Sequence, residues 1–406
     1  MAVNSRSNSV VIAVNGGSSS IKAAMFRVDA GVPRRVVSVA VDRLGTAGAR
    51  LVTTGHGNGD APPKQQAVAL KQRSMTDAAA ALAAELRSAA ADSRIAGIGH
   101  RLVLGGATSP DHQLLNAALL KKLRAASRLD SAHLPAELSL ISVFQREFRH
   151  VAQVACLDTA FHRDLPRVAT LLPIPGRFER AGLRRYGFHG LSYEFLSAEL
   201  SRVERNERQR ERVVYAHLGS GASMAAVKNG KPVDTTMGFS PLSGLMMRTR
   251  PGDLDAGAIV EIAKCEKLSH TALSDFLNHG CGLAGVSGTS GDIRDLLRRR
   301  SRDRAACDAI DLFCWSARRQ LGAMIASLGG IDTLVFAGGV GEHAGAIRAQ
   351  ICANFEKLGI TLDRRANLGN RPVISGSNSP VTVRVIPTDE EVMIARHVLR
   401  LIRGRR

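Results

Sequence analysis

The sequence predicts an α/β protein built from two related domains, and three observations carry that prediction. Residues 10–28, VVIAVNGGSSSIKAAMFRV, read as a strand, a polar Gly/Ser turn and a second strand, and residues 213–231, VVYAHLGSGASMAAVKNGK, read the same way. At an offset of 203, Val10, Val11, Ala13, Gly16, Ser20 and Ala23 recur as Val213, Val214, Ala216, Gly219, Ser223 and Ala226, which points to a duplicated unit. The 406 residues exceed one ordinary compact domain, and strand, glycine turn and helix alternate along them.

The elements follow in order. After the first hairpin, residues 45–67, mixed in Gly, Thr, Pro and Gln, read as a loop or insertion. Residues 75–93 are Ala/Leu-rich and predict a helix with Thr76 or Asp77 as its N-cap; residues 114–129 have amphipathic spacing. Beyond the second hairpin, residues 307–330 predict a long helix stopped by Gly329 and Gly330. Residues 331–342, IDTLVFAGGVGE, then predict a buried strand running into a glycine loop.

Composition narrows the class. Hydrophobic residues make up 45% and charged ones 22%, enough for a sizeable core, and no apolar run is long enough to span a bilayer. The N-terminal MAVNSRSNSVVIAVNGG has one short apolar stretch running straight into glycines, so no secretory signal and a cytoplasmic location are expected. The net charge of +19 invites a nucleic-acid reading, but its Arg excess is spread through 201–212, 293–304 and 399–406. The first two runs mix both signs as solvated helix faces do, and aromatics at 4% leave little to stack on bases, so nucleic acid is not the expected partner. Six cysteines without a CxxC pair read as reduced thiols rather than a zinc site.

Three glycine turns can present backbone N–H groups to phosphate oxygens: NGGSSSIK (15–22) with Lys22 in reach, HLGSGAS (217–223), and AGGVGEHAG (337–345). Each alone reads more readily as a tight turn, and none is a P-loop or a Rossmann fingerprint. Four polar residues stand in apolar or glycine-rich surroundings: Arg101 in GIGHRLVLGG, Asp158 in ACLDTAFH, His189 in RRYGFHG, and Arg250 in a Pro/Gly-rich segment. Each alone reads equally as a structural ion pair or a satisfied core histidine; together they suit phosphoryl transfer between anions. Asp389, Glu390 and Glu391 open a helix after a strand, where they serve the helix dipole or a hard cation.

In order and over nearly the whole chain, NGGSSSIK, GHRLVLGG, LDTAFH, RRYGFHG, HLGSGAS, MGFSPLSGLMMRTRPGDLD, SGTSGDIRD, AGGVGEHAG and PTDEEVMIAR resemble the acetate kinase family, with propionate and butyrate kinases as near relatives. The resemblance implies duplicated actin/hexokinase-like (ASKHA) α/β domains with an interdomain active-site cleft. The N-terminal domain would cover 1–158, completed by the helix 388–406, and the nucleotide-binding domain 159–387. It implies a homodimer that transfers a phosphoryl group reversibly from ATP to acetate, with Mg²⁺ or Mn²⁺, giving acetyl phosphate and ADP. A propionate or butyrate kinase is the alternative, and a basic nucleic-acid-binding protein on the same scaffold a more distant one.

By the same resemblance, Asp158 is the catalytic acid residue, orienting substrate or metal, and His189 and Arg250 stabilise the transferring group. Arg101 binds the acid's carboxylate, with His133 near the phosphoryl path and Val103, Phe188 and Pro241 around the acyl tail. Asn15 and Glu390 serve the metal. Lys22 and the loop His217, Leu218, Gly219, Ser220 and Gly221 meet the ATP phosphates. Asp292, Ile293 and Arg294, with Gly339, Val340, Gly341, Glu342 and His343, form the adenosine site. The chain departs from the family at Gly16 (usually Cys or another small residue), at Leu104 and Tyr193 (each usually His), and at Arg248 (Gly). Ser220 and His343 each replace an Asn, and Ala132 a Leu, which widens the room for an acyl chain.

Overall fold

The computed structural model describes residues 9–16, 20–29, 31–42, 44, 48–57, 63–70, 74–106, 110–130 and 133–404. Gly17, Ser18 and Ser19 of the first glycine turn, and Ala132, lie outside them. The chain divides into two compact units, Met1–Ala160 with Asp389–Arg406, and Phe161–Thr388.

Among the described residues, the first unit holds an eight-stranded sheet, composed of β1 (Ser9–Gly16), β2 (Ile21–Asp29), β3 (Val32–Asp42), β4 (Arg50–Gly55), β5 (Lys64–Ala69), β6 (Arg94–Leu102), β7 (Gln113–Leu114) and β8 (Gln153–Leu157), in the order β5-β4-β3-β2-β1-β6-β8-β7. β1, a nearly unbroken apolar run, is central and pairs antiparallel with β2 and parallel with β6. Period-2 alternation sends Val10, Ile12 and Val14 into a core shared with Leu82, Leu86, Leu140 and Phe144 of the helices Met75–Ala89 and Leu134–Glu147. The helix Glu390–Arg403 also packs on β6, where a Cβ on Gly99 would lie 2.4 Å from Ile394 Cγ2 and one on Gly97 2.6 Å from Val398 Cγ1. Those glycines let the helix approach the strand.

The second unit holds, among the described residues, a five-stranded sheet of β9 (Arg212–Leu218), β10 (Ala222–Lys228), β11 (Lys231–Thr235), β12 (Thr333–Ala337) and β13 (Thr382–Val385), ordered β11-β10-β9-β12-β13. The run β3-β2-β1-β6-β8 of the first sheet has the same order and sense, with antiparallel pairs on one side of the first strand and parallel pairs on the other. The duplication expected from the hairpins is therefore present as topology. The fixed offset of 203 is not the pairing register, because Gly16↔Ile21 closes the first hairpin and Leu218↔Ala222 the second, whose connection is one residue shorter.

Other expectations change. Part of 45–67 is strand: Leu51, Val52, Thr53 and Thr54 suit a pleated surface, and β4 pairs with β3 and then with the exposed β5. The cap of the helix at Met75 is Ser74, whose Oγ accepts from the Asp77 N–H, leaving Asp77 in the first turn. The long helix begins earlier than expected, at Arg304 behind the Asp303 cap, and stops at left-handed Gly329 as expected. The glycine loop after β12 is a short helix, Gly338–His343, entered directly from the strand. The charged run 201–212 is not one helix face, because the helix Gly190–Val203 ends within it and a single 3₁₀ turn, Glu207–Arg210, follows.

Candidate active site

In the first unit the parallel strands β1, β6 and β8 end together, and their last residues carry the polar cluster. Ligands in α/β folds collect outside such carboxyl ends. Arg101, next to last in β6, donates from Nε and Nη2 to Asp158, which directly follows β8, with Nη2 2.5 Å from Oδ2. Its Nη1 donates to Asn15 Oδ1 at 3.1 Å, and Asn15 Nδ2 donates to Glu390 Oε2 at 3.0 Å. Each terminal nitrogen of Arg101 thus keeps one N–H without a partner among the described residues. Asp158 is 1% exposed. Burial works against the Arg101 charge, but the Asp158 and Glu390 carboxylates outweigh it, and the guanidinium is held above its ordinary range.

Glu390 opens its helix between two other acids, and Arg35 on β3 takes both of them. Its Nη2 lies 2.7 Å from Asp389 Oδ1 and its Nη1 donates to Glu391. Of the three acids, only Glu390 bonds Asn15. Asn15 Oδ1 with the Glu390 and Asp158 carboxylates is an all-oxygen donor set, which fits a hard divalent cation. Lys22 is exposed on β2, opposite Asn15 across the hairpin.

His133 stands at the head of the helix Leu134–Glu147, and the Asp130 carboxylate accepts from its Nδ1 at 2.9 Å. Val103 is buried just past β6, and its N–H donates to both oxygens of Glu137, at 3.2 and 3.1 Å. Neither Asp130 nor Glu137 was expected as a site residue. The signal for Glu137 is its spacing, because the buried positions 134, 137, 140, 141 and 144 form one face and place a carboxyl in the apolar stripe.

In the second unit His189 has left-handed backbone, φ 57°, which a bulky residue rarely adopts, and it leads directly into the helix Gly190–Val203. Its Nδ1 is hydrogen-bonded to Ser223 Oγ at 2.8 Å, and Tyr193 Oη bonds the same hydroxyl. The His189 ring stacks on His217, 4.4 Å between centroids. A Cβ on Gly221 would lie 3.0 Å from His189 Nε2 and 4.0 Å from Arg250 Nη1, so the turn 219–221, His189 and Arg250 converge. Arg250 Nη1 also donates to the carbonyl of Pro241 at 3.3 Å. Phe188 is buried and its carbonyl accepts from His162.

Beside this turn lies a cavity of about 510 Å³, within the range of small-molecule sites. Gly219, Ser220, Asp292, Ile293, Arg294, Gly339, Val340 and His343 line it, joined by Arg248 and Leu283. Arg294 holds the Asp292 carboxyl down at about 2. His217, Leu218, Gly221, Gly341 and Glu342 are not among its lining residues. Leu218 is core, Gly341 packs under it, and His217 Nδ1 bonds Ser192. Glu342 Oε1 accepts from the N–H groups of Gly338 and Thr388, so that carboxylate braces the turn. Behind the turn, buried Arg348 donates to the carbonyls of Gly341 and Glu342 and to Asn367 and Asn370. Desolvation lowers its pKa. Its position in a buried stretch of GAIRAQIC was the available sign.

Comparison with known proteins is consistent across sequence and structure. The Acetokinase family matches residues 10–396. An acetate kinase of Rhodopseudomonas palustris is 40% identical over 403 residues, covering 98% of this chain and 99% of that protein. The crystal structure of the Porphyromonas gingivalis acetate kinase superposes with a TM-score of 0.84 at 32% identity, covering 97% and 99% of the two chains. That of a propionate kinase from Francisella tularensis gives 0.88 at 31%, covering 96% and 98%.

Proposed function

The chain belongs to the acetokinase family, and from that premise we propose that it transfers the γ-phosphoryl group of ATP to acetate, reversibly, giving acetyl phosphate and ADP. It is a phosphotransferase with a carboxyl acceptor, and the family brings ATP or ADP and a divalent metal with it. The observation that carries the reading is Arg101, held by Asp158 and Asn15 with an N–H left on each terminal nitrogen. That edge matches a carboxylate in planar, bidentate fashion.

In this reading the acid's carboxylate docks on Arg101 with its second oxygen directed at the γ-phosphorus. A carboxylate is ionised at neutral pH and needs no general base. One of its lone pairs forms the new O–P bond while the bond to the ADP oxygen breaks in line. Charge neutralisation and positioning supply the rate. Arg250 and His189 face the oxygens of the transferring group, with Ser223 fixing the imidazole, and the cavity beside Ser220 and Arg294 receives the nucleoside. Glu390, Asn15 and Asp158 would hold Mg²⁺, or Mn²⁺ in its place, which would supply further neutralisation of phosphate charge.

Propionate is the second acceptor to consider, because the similarity to a propionate kinase structure matches that to an acetate kinase. A methylene in an apolar pocket is worth about 1–3 kcal/mol, so preference among short acids is shallow. The test is acyl phosphate trapped as its hydroxamate with ATP and Mg²⁺ against acetate, propionate and butyrate. Turnover with acetate supports the reading, and silence with every acid from folded protein contradicts it.

We also place the enzyme in the cytoplasm as a homodimer. All six cysteines are free thiols, as in a reducing compartment. In the second unit, the helix Ala256–Cys265 (AGAIVEIAKC) buries no residue, and Val260 (68% exposed) and Trp315 (53%) are uncovered, as are Leu254, Val286 and Leu312. An apolar surface of this kind suits a second copy of the chain.

A further inference from the structure

Glu137 is a buried carboxyl that no described side chain pairs directly. It is 5% exposed, and its two oxygens accept from one backbone group, the Val103 N–H. Among the described residues no Lys, Arg or His lies within ion-pair distance of it. The charged groups that face it are Arg101 from β6, Asp130 ahead of its own helix, and Asp158 beyond β8. His133, at the head of that helix, is engaged by Asp130. The Val103 N–H that Glu137 accepts follows directly on the end of β6, two residues beyond Arg101.

We propose that Glu137 is a positioning residue that sets acceptor affinity through its own charge. Neutral, it anchors the Val103 backbone and leaves Arg101 to the incoming acid; ionised, it competes with that acid for the Arg101 charge. The inference rests on the reading that Arg101 receives the acid's carboxylate. Desolvation dominates the site and pushes the Glu137 carboxyl up to about 8, against the opposing pull of Arg101 and the Val103 N–H and with the help of Asp130 and Asp158. The neutral form therefore prevails at neutral pH and the ionised form at alkaline pH. In this pocket Asp158 and Glu390 already oppose Arg101, so an ionised Glu137 adds a third negative charge facing that guanidinium.

The test is the acid's KM, the ATP KM and kcat, measured from about pH 7 to about pH 9.5 in the full-length protein and in Glu137→Gln. Glutamine keeps an oxygen for the Val103 N–H and carries no charge at any pH. The wild-type acid KM should rise on the order of tenfold across that range, while the ATP KM stays within about twofold. The Gln variant should hold its acid KM flat. A purely structural Glu137 would leave both acid profiles parallel, and parallel profiles overturn the proposal while acyl phosphate formation stands. Silence with every acid overturns both this inference and the functional reading beneath it. Should the variant fail to fold, the wild type still decides. Its infrared difference spectrum between the two pH values should lose a protonated-carboxyl C=O band in step with the rise in acid KM, and a band that does not change overturns the proposal.

Discussion

Arg101 and Asp158, 57 residues apart in sequence, hold each other side-on at the carboxyl ends of two adjacent parallel strands, with Nη2 2.5 Å from Oδ2. The pair fixes which edge of the guanidinium is used and which is left. It also makes buried Asp158 the counter-charge of a partly buried cation, so chemistry and folding are coupled at one carboxylate. Removing Asp158 strands the Arg101 charge, which at 17% exposed costs less than the about 3–5 kcal/mol of a fully buried pair. Asp158→Ala should therefore lose both turnover and thermal stability. Asp158→Asn, which keeps the shape, should retain more of the stability and still lower kcat by about a hundredfold or more. Paired kcat and Tm measurements on both variants check this, and near-normal kcat in either would remove Asp158 from the mechanism.

A Cβ on Gly221 would crowd His189 Nε2 at 3.0 Å. Gly221→Ala should push the imidazole or the turn by a few tenths of an ångström. The expected result is a kcat about tenfold to a hundredfold lower, because small misplacements of positioned groups are costly. Circular dichroism should remain unchanged. Wild-type kcat in this variant would show that the turn yields freely.

Arg35 binds the acids on either side of Glu390. Arg35→Gln should release Asp389 and Glu391 and loosen the start of the last helix. The Mg²⁺ concentration for half-maximal rate should rise several-fold, and Mn²⁺ binding followed by electron paramagnetic resonance should weaken in parallel. Arg35→Lys should recover part of both. An unchanged metal requirement would confine Arg35 to stability.

Buried His100 pairs its Nε2 with Gln153, and burial pushes it down to about 4. Folded protein keeps this imidazole neutral while unfolded chains protonate near pH 6.5, so unfolding takes up a proton between those values. Stability should fall as pH drops from about 6.5 to about 4, by roughly 3 kcal/mol in total from this group. Urea unfolding at several pH values should show a shallower dependence in His100→Gln.

The uncovered apolar surface of the second unit predicts that Val260→Asp or Trp315→Asp yields a smaller species by light scattering. Equal mass in the variants and the wild type would place the subunit contact elsewhere.

Much of the architecture is legible in the sequence because its signals are local. β-branched runs flank the two glycine hairpins, and Gly329 stops the long helix where a left-handed residue is needed. β4 and β5 are not legible, since Thr, Gly and Gln there resemble a loop until β3 offers an edge to β4 and β4 offers one to β5. The short helix Gly338–His343 is hidden by its glycines, which suit a turn better than a helix. Within the site, the motifs identify Arg101 and Asp158 singly. Their mutual pairing depends on the parallel register of β6 and β8, which no local pattern encodes. Glu137 and Arg348 are legible only as charges at buried spacings, a sign that becomes specific once their neighbours are known.

Binding of the acid at Arg101 is tested most directly by comparing the acid and ATP KM values in Arg101→Ala and Arg101→Lys. The acid's KM should rise by about a hundredfold in the Ala variant and less in the Lys variant, with the ATP KM within about twofold of wild type. A variant that binds the acid normally and loses affinity for ATP would contradict the assignment.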